Sequence, residues 1–463
     1  MPEEALSDAG TRSWSGLARR VRGGLGAFTG GRSDQAIVYR GVATAFLVRV
    51  ASAAILYLSQ IVLARWMGGF EYGVYVFVWT WVLVLGGLCN LGLAPLMIRL
   101  VPEYRERGQT ALLRGLLRYG RLLPVAAATV VAGLGFLALW LGGGLLSSHY
   151  VLPAFIALAC VPIIALSDVQ DGIGRGRGWL TISLIPPYVL RPLLALAAMV
   201  LAHEMGWPMS AVTDASAAVA GTWAAAIVQT LLVERRLAAE TPAGPAERPA
   251  GLWLGTSLPL LAITFSEILL QNTDVLVISQ MMRPEDVGLY FAAAKTMSLV
   301  MFVHYAIGSA FAHRFAALNA RGASDELSGA IRQAVNWTFW PSLAGALVIL
   351  ALGRPLLWLF GPQFADAWPV MFVLVIGYLG RAAMGPSELL LNMLGQQKAT
   401  AVVSIGAAVL NIALNLALVP RFGLMGAASA TASSLVLGAL MNTWVARRRL
   451  GLNIAIWSNV GRK

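Results

Sequence analysis

Charge is what this chain has least of. Only 12% of its 463 residues are Asp, Glu, Lys or Arg, about half the share of an ordinary soluble chain. A soluble globular protein of this length is therefore excluded. Cysteine is scarcer still, with Cys89 and Cys160 as the two thiols. Both fall in apolar stretches, which excludes a disulfide framework or thiolate metal motif and makes them packing residues. The four histidines, His149, His203, His304 and His313, lack metal-ligand spacing. No nucleophile–base pair is legible either. The glycine-rich run Gly172–Gly178 matches no P-loop spacing and follows no strand, so it reads as a short basic cytosolic turn. No cofactor and no nucleic-acid partner are expected.

What is present is apolar sequence in long runs. Hydrophobic residues make up 58% of the chain and the mean hydropathy is +0.72. Runs of spanning length, about 18–25 residues, fall at 42–64, 74–98, 122–142, 150–168, 180–202, 211–233, 256–278, 290–312, 335–353, 368–392, 399–419 and 424–446. The fold expected is an all-α polytopic membrane protein with twelve transmembrane helices. With the N-terminus inside, the arm, the loops after even-numbered spans and the tail hold 26 of the 34 Lys and Arg. The loops after odd spans hold Arg65, Arg283, Arg354 and Arg421. That bias follows the positive-inside rule and puts both termini in the cytosol. The external loops are then too short for the acidic catalytic pair of a membrane glycosyltransferase or polymerase, so no enzyme is expected. Residues 102–121 set four leucines against Arg107, Arg114, Arg118 and Arg121. They read as a basic amphipathic helix, either on the anionic inner leaflet or simply solvated.

A Pro/Ala/Glu/Arg-rich stretch follows the sixth span and reads as a flexible cytosolic linker. It divides the chain into an arm (1–40), an N-lobe (41–233), the linker (234–251), a C-lobe (252–446) and a tail (447–463). Glu71-Tyr72-Gly73-Val74-Tyr75 after span one is echoed by Asp286-Val287-Gly288-Leu289-Tyr290 after span seven. The echo suggests an internal repeat: two six-helix lobes around a central cavity, the architecture of alternating access.

Four cations lie inside the spans: Arg49, Arg191, Lys295 and Arg381. Each costs roughly 2.5–3.5 kcal/mol at mid-span on insertion scales, so such residues face a cavity or a partner. Arg49 either binds substrate or snorkels to the cytosolic interface, with Gln60 on its helical face. Arg191 is central in a span carrying Pro186, Pro187 and Pro192, which should kink or break that helix. Glu267, Gln271 and Asp274 share one stripe of span seven, and Arg381, Glu388 and Asn392 share one of span ten. Lys295 either pairs with Asp274 or snorkels outward. Arg381 and Glu388 either serve the cavity or hold helices together. Asn411 and Asn415 read as cavity polar groups or interhelical hydrogen bonders. Arg49, Arg191 and Arg381 are the expected contacts for an anionic substrate. The first half shows no mid-span acid, so Glu267, Asp274, Lys295 and Glu388 are expected to form ion pairs or a coupling-ion site in the second.

The segments LARWMGGFEYGVYVFVW (63–79), NLGLAPLMIRLVPEYRERG (90–108), 257–295 and LNIALNLALVPRFGLMGAASATASS (410–434) resemble Wzx-type polysaccharide flippases. These belong to the multidrug/oligosaccharidyl-lipid/polysaccharide exporter superfamily. The resemblance implies translocation of a polyprenyl-pyrophosphate-linked oligosaccharide across the bacterial cytoplasmic membrane, for exopolysaccharide, lipopolysaccharide or other surface glycan. It also implies coupling to a Na+ or H+ gradient, and contact with membrane lipids and a glycan polymerase or other assembly proteins. The related lipid II flippases carry an arginine in the first helix, and Arg49 is the nearest match. A multidrug/cation antiporter of the same superfamily and a transport-dead scaffold for glycan assembly are the alternatives.

Overall fold

The computed structural model describes residues 34–142, 148–241 and 244–458. The side chains of residues 34–47, Arg49 and His313 lie outside that description. Among the described residues every regular element is helical. They run α1 Asp34–Cys89, α2 Leu93–Glu106, α3 Thr110–Gly142, α4 Ser148–Leu158, α5 Val161–Arg177, α6 Leu180–Ile185, α7 Arg191–Glu204, α8 Ala211–Glu240, α9 Ala250–Met281, α10 Pro284–Ser298, α11 Met301–Ala320, α12 Ser324–Ala351, α13 Gly353–Trp358, α14 Trp368–Ala383, α15 Ser387–Met393 and α16 Gln397–Leu450. Nine described helices are long and apolar enough to cross a membrane, or ten when the bent pair α4–α5 counts as one. Two of them are broken: α1 at Gly68 and α16 at Gly423, where the backbone leaves helical angles. Both glycines have positive φ, which a side chain would strain. The outward faces are apolar. Leu134, Trp140 and Leu141 of α3 are exposed, as hydrocarbon rather than water requires.

The repeated motif is where the halves of the chain meet. α1 packs on α10, and the crossing is at the glycines. A Cβ on Gly73 would lie 1.7 Å from the Pro284 carbonyl oxygen, and one on Gly288 would lie 3.2 Å from that of Gly69. The pairs 69/284 and 73/288 are related by one offset of 215 residues (284 minus 69, 288 minus 73). The echo in the sequence is thus a pseudo-twofold contact, with small residues letting two backbones approach. The two acids of the motif serve as helix caps. Glu71 accepts from the Ala211 amide at 2.7 Å, and Asp286 from the Arg283 amide at 3.2 Å.

Three sequence expectations need correction. Residues 102–121 are not one amphipathic helix on a membrane surface. Gly108, with φ +65°, separates α2 from α3. Leu113, Leu116 and Leu117 are buried with Trp253, Tyr104 and Ile173 in the protein's own core. The run Gly172–Gly178 is not a turn, for α5 continues to Arg177 and Gly178 ends it. Gly172 and Gly176 bring that helix against the Ala94 and Met97 carbonyls of α2. Composition also misread the linker as flexible. α8 extends to Glu240, and the strap 244–249 lies on α3. The Glu247 amide donates to the Ala111 carbonyl at 3.1 Å, and Arg114 donates to that of Pro245 at 3.2 Å. A Cβ on Gly115 would meet the Glu247 oxygen at 1.7 Å. Gly115→Ala is expected to unseat the strap and speed cleavage after Glu247 by a glutamate-specific protease. Equal cleavage in both proteins would refute the docking.

Candidate functional sites

Each half carries an open polar cleft. The first, with about 510 Å³ of open space, is lined by Gln60, Tyr75 and Trp79 of α1, Arg191 of α7, and Asp214 and Thr222 of α8. Local sequence explains how Arg191 reaches it. Pro186, Pro187 and Pro192 lack amide donors, and Pro186–Leu190 widens into a π-helical turn closed by the Arg191 amide on the Pro186 carbonyl. The expected break is therefore a bulge of the kind that often marks functional sites. The Arg191 guanidinium lies over the Trp79 ring, 6.0 Å from its centroid. Among the described residues it makes no ion pair. Gln60 is held by the Tyr72 hydroxyl, which donates to its Oε1 at 2.9 Å. Gln60 thus joins Arg191, whereas its expected partner Arg49 has its side chain outside the described residues.

Sequence reading missed two acids of the first half. Asp214 is buried in the first cleft and its Oδ2 has no donor among the described residues. It lies in the first turn of α8, whose positive end offsets its charge. Asp168, with Asn90 Nδ2 3.5 Å from its Oδ2, is within the electrostatic reach of Arg191. The signal was there, since both acids stand in or at the edge of apolar runs. They were passed over because each falls near a run's end. The first half thus has no acid at mid-span, but its cleft does carry one, Asp214, near the end of a span.

The second cleft, with about 440 Å³ of open space, lies within the second half. It is lined by His304 of α11, Arg381 of α14, Ser387 and Glu388 of α15, and Ser404, Ser434 and Asn442 of α16. Arg381 donates to Glu388 Oε2 at 3.1 Å. The pairing was legible, but its geometry was not. Arg381 and Glu388 do not share a stripe of one helix, because Gly385 (φ +55°) and Pro386 break the chain between α14 and α15. Asn392 lies beyond that break and accepts from Gln397 through its carbonyl oxygen. Glu267 is within the field of Glu388 and Arg381. It and Gln271 are exposed on the face of α9, while Asp274 is buried.

Asp274 accepts hydrogen bonds from the Val275 amide at 2.9 Å and from two hydroxyls. Tyr290 donates to it at 2.5 Å and Thr431 at 3.4 Å. Lys295 acts on it by charge, while its ammonium rests 4.9 Å from the Phe291 ring centroid. Asn411 and Asn415 are buried within α16 and bond along their own helix, Asn415 Nδ2 donating to the Asn411 carbonyl at 3.0 Å. The interhelical bonding expected of them is not what holds them.

Comparison with known proteins locates this architecture. A family model described as polysaccharide biosynthesis protein matches residues 38–312, more than half of the chain. A second model, MatE, matches residues 259–417. Among solved structures, the inward-facing conformation of a multidrug resistance MATE family transporter of the MOP superfamily superposes with a TM-score of 0.67 at 14% identity, covering 94% of this chain and 98% of that one. The outward-facing conformation of such a transporter gives 0.64 at 15% identity, with 89% and 95% covered. At these identities the likeness is one of fold. No curated protein matches the chain. The chain belongs to the polysaccharide biosynthesis protein family and, through it, to the MOP superfamily of multi-pass membrane transporters.

Proposed function

We propose that this protein flips a polyprenyl-pyrophosphate-linked oligosaccharide across the bacterial cytoplasmic membrane by alternating access, for surface or exopolysaccharide assembly. The observation that carries the reading is Arg191, a guanidinium without an ion-pair partner among the described residues, lining an open cleft in a member of a polysaccharide biosynthesis family. A planar, multi-donor cation suits a pyrophosphate. Arg381 is already neutralised by Glu388, which makes it the weaker candidate of the pair. Arg49 remains a proposed contact at the cytosolic entrance.

The proposed architecture has twelve spans. Splitting α1 at Gly68 and α16 at Gly423, and counting α4–α5 as one, brings the helices to that number. The lobes are 41–233 and 252–446, joined by 234–251. The arm (1–40) and tail (447–463) lie in the cytosol. Asp274, buried in the fold, and Lys295, exposed beside Phe291, are assigned to coupling with a Na+ or H+ gradient. A glycan polymerase or another assembly protein is the proposed partner outside the membrane lipids.

The test is translocation in proteoliposomes. A panel of fluorescent polyprenyl-pyrophosphoryl sugars is placed in both leaflets, and external dithionite bleaches what it reaches. The protein is expected to abolish the protected inner-leaflet fraction. Protection unchanged across the panel, with efflux of cationic dyes instead, would establish the multidrug reading. The MatE match over 259–417 and the acids Glu267 and Glu388 favour that second reading.

A further inference from the structure

We infer that the second cleft is a sugar subsite, one that takes a neutral, hydroxyl-rich ring rather than the pyrophosphate. This rests on the flippase reading only for what the sugar is attached to. Two observations point to a ligand. The Nδ1 of His304 and the Oδ1 of Asn442 are buried, line the cleft and have no partner among the described residues. Their side chains are 7% and 6% exposed, so water reaches neither freely. An unmet buried polar atom costs about 1–3 kcal/mol, and two facing one cavity are explained most simply by a polar guest.

The chemistry of the lining selects the guest. Arg381 is spent on Glu388, and Glu267 adds a second acid within their field. A dianion would meet no uncompensated cation here, in contrast to the cleft of Arg191. A sugar hydroxyl both donates and accepts. The cleft offers acceptors in Glu388 and Asn442 and donors in Arg381, with Ser404 able to do either. Position agrees with loading from the cytosol. Asn442 stands five residues before the basic run Arg447–Arg449 that closes α16. The Arg191 cleft instead lies in the other half, where it holds Gln60 and Tyr75 of α1. The glycan and its pyrophosphate are thus recognised in different halves.

Saturation-transfer NMR on the detergent-solubilised protein tests this. The probes are glucose, galactose, mannose, rhamnose and N-acetylglucosamine at millimolar concentration, with inorganic pyrophosphate and tetraphenylphosphonium as competitors. At least one sugar is expected to receive saturation. That signal should fall several-fold in Asn442→Ala and Glu388→Gln, survive in Arg191→Ala, and resist both competitors. Thermal melting confirms that each variant is folded, and Asn442→Ser substitutes for Asn442→Ala if the latter does not fold. No transfer to any sugar, transfer indifferent to Asn442 and Glu388, or displacement by either competitor overturns the subsite. The flippase reading fails by a separate sign: pyrophosphate binding that does not depend on Arg191.

Discussion

Arg191→Ala should abolish glycan export while the protein still inserts and folds. Removing one partner of a desolvated charge pair costs about 2–5 kcal/mol, roughly 30- to 5,000-fold in affinity. The loss should be in substrate binding and not in stability, because Arg191 holds no other described residue by an ion pair. Arg191→Lys should recover part of the activity, since it keeps the charge and loses the fork. Arg381→Ala is expected to differ in kind. It strands Glu388, a carboxylate bonded at 3.1 Å, and so should lower thermal stability, with Glu388→Gln in the same chain restoring it. The checks are complementation of a flippase-deficient strain and melting of the purified variants. Normal export by Arg191→Ala would remove the pyrophosphate assignment.

Gly73→Ala should be among the most damaging single-methyl changes in the molecule. Its Cβ would fall 1.7 Å from the Pro284 carbonyl oxygen, and backbone on both sides must move. Overpacking of this kind costs typically 1–3 kcal/mol and occasionally more, and this contact belongs at the upper end. Gly288→Ala, its mate across the pseudo-twofold, meets the Gly69 oxygen at 3.2 Å and should cost far less. The measurement is the melting temperature of the two variants in one detergent. Equal shifts would mean that the halves do not cross at these glycines.

Much of the fold was legible because hydrocarbon is an unforgiving solvent. A backbone inside it must be helical, and its side chains must be apolar over a fixed length. The long helices follow the apolar runs, with α4–α5 broken and α1 and α16 each carrying two runs across a glycine. The acidic-x-Gly-x-Tyr echo was legible as a repeat. The ion pair of Arg381 and Glu388 was legible as two residues at one spacing. Less visible was anything depending on which neighbour covers a face. The leucines of 112–117 have the same pattern whether they meet lipid or Trp253. The strap 244–249 has a linker's composition, yet is tied down through its backbone, which composition does not report.

Sequence by itself determined that this is an all-helical membrane protein, which segments are apolar enough to cross, and that a few charges stand where charge is costly. Those are local properties, settled by the transfer of each segment out of water. Tertiary structure alone decided how those charges divide. Arg191 stands unpaired beside Trp79 with Asp214 in the same cleft, and Arg381 is spent on Glu388. Whether a buried cation is free to hold a ligand depends on what lies within about 4 Å of it, where Coulomb energy at low dielectric is large. For Arg191 those neighbours come from helices distant in sequence; for Arg381 the partner stands at a readable spacing but is reached across a break in the chain, where helical phase gives no geometry.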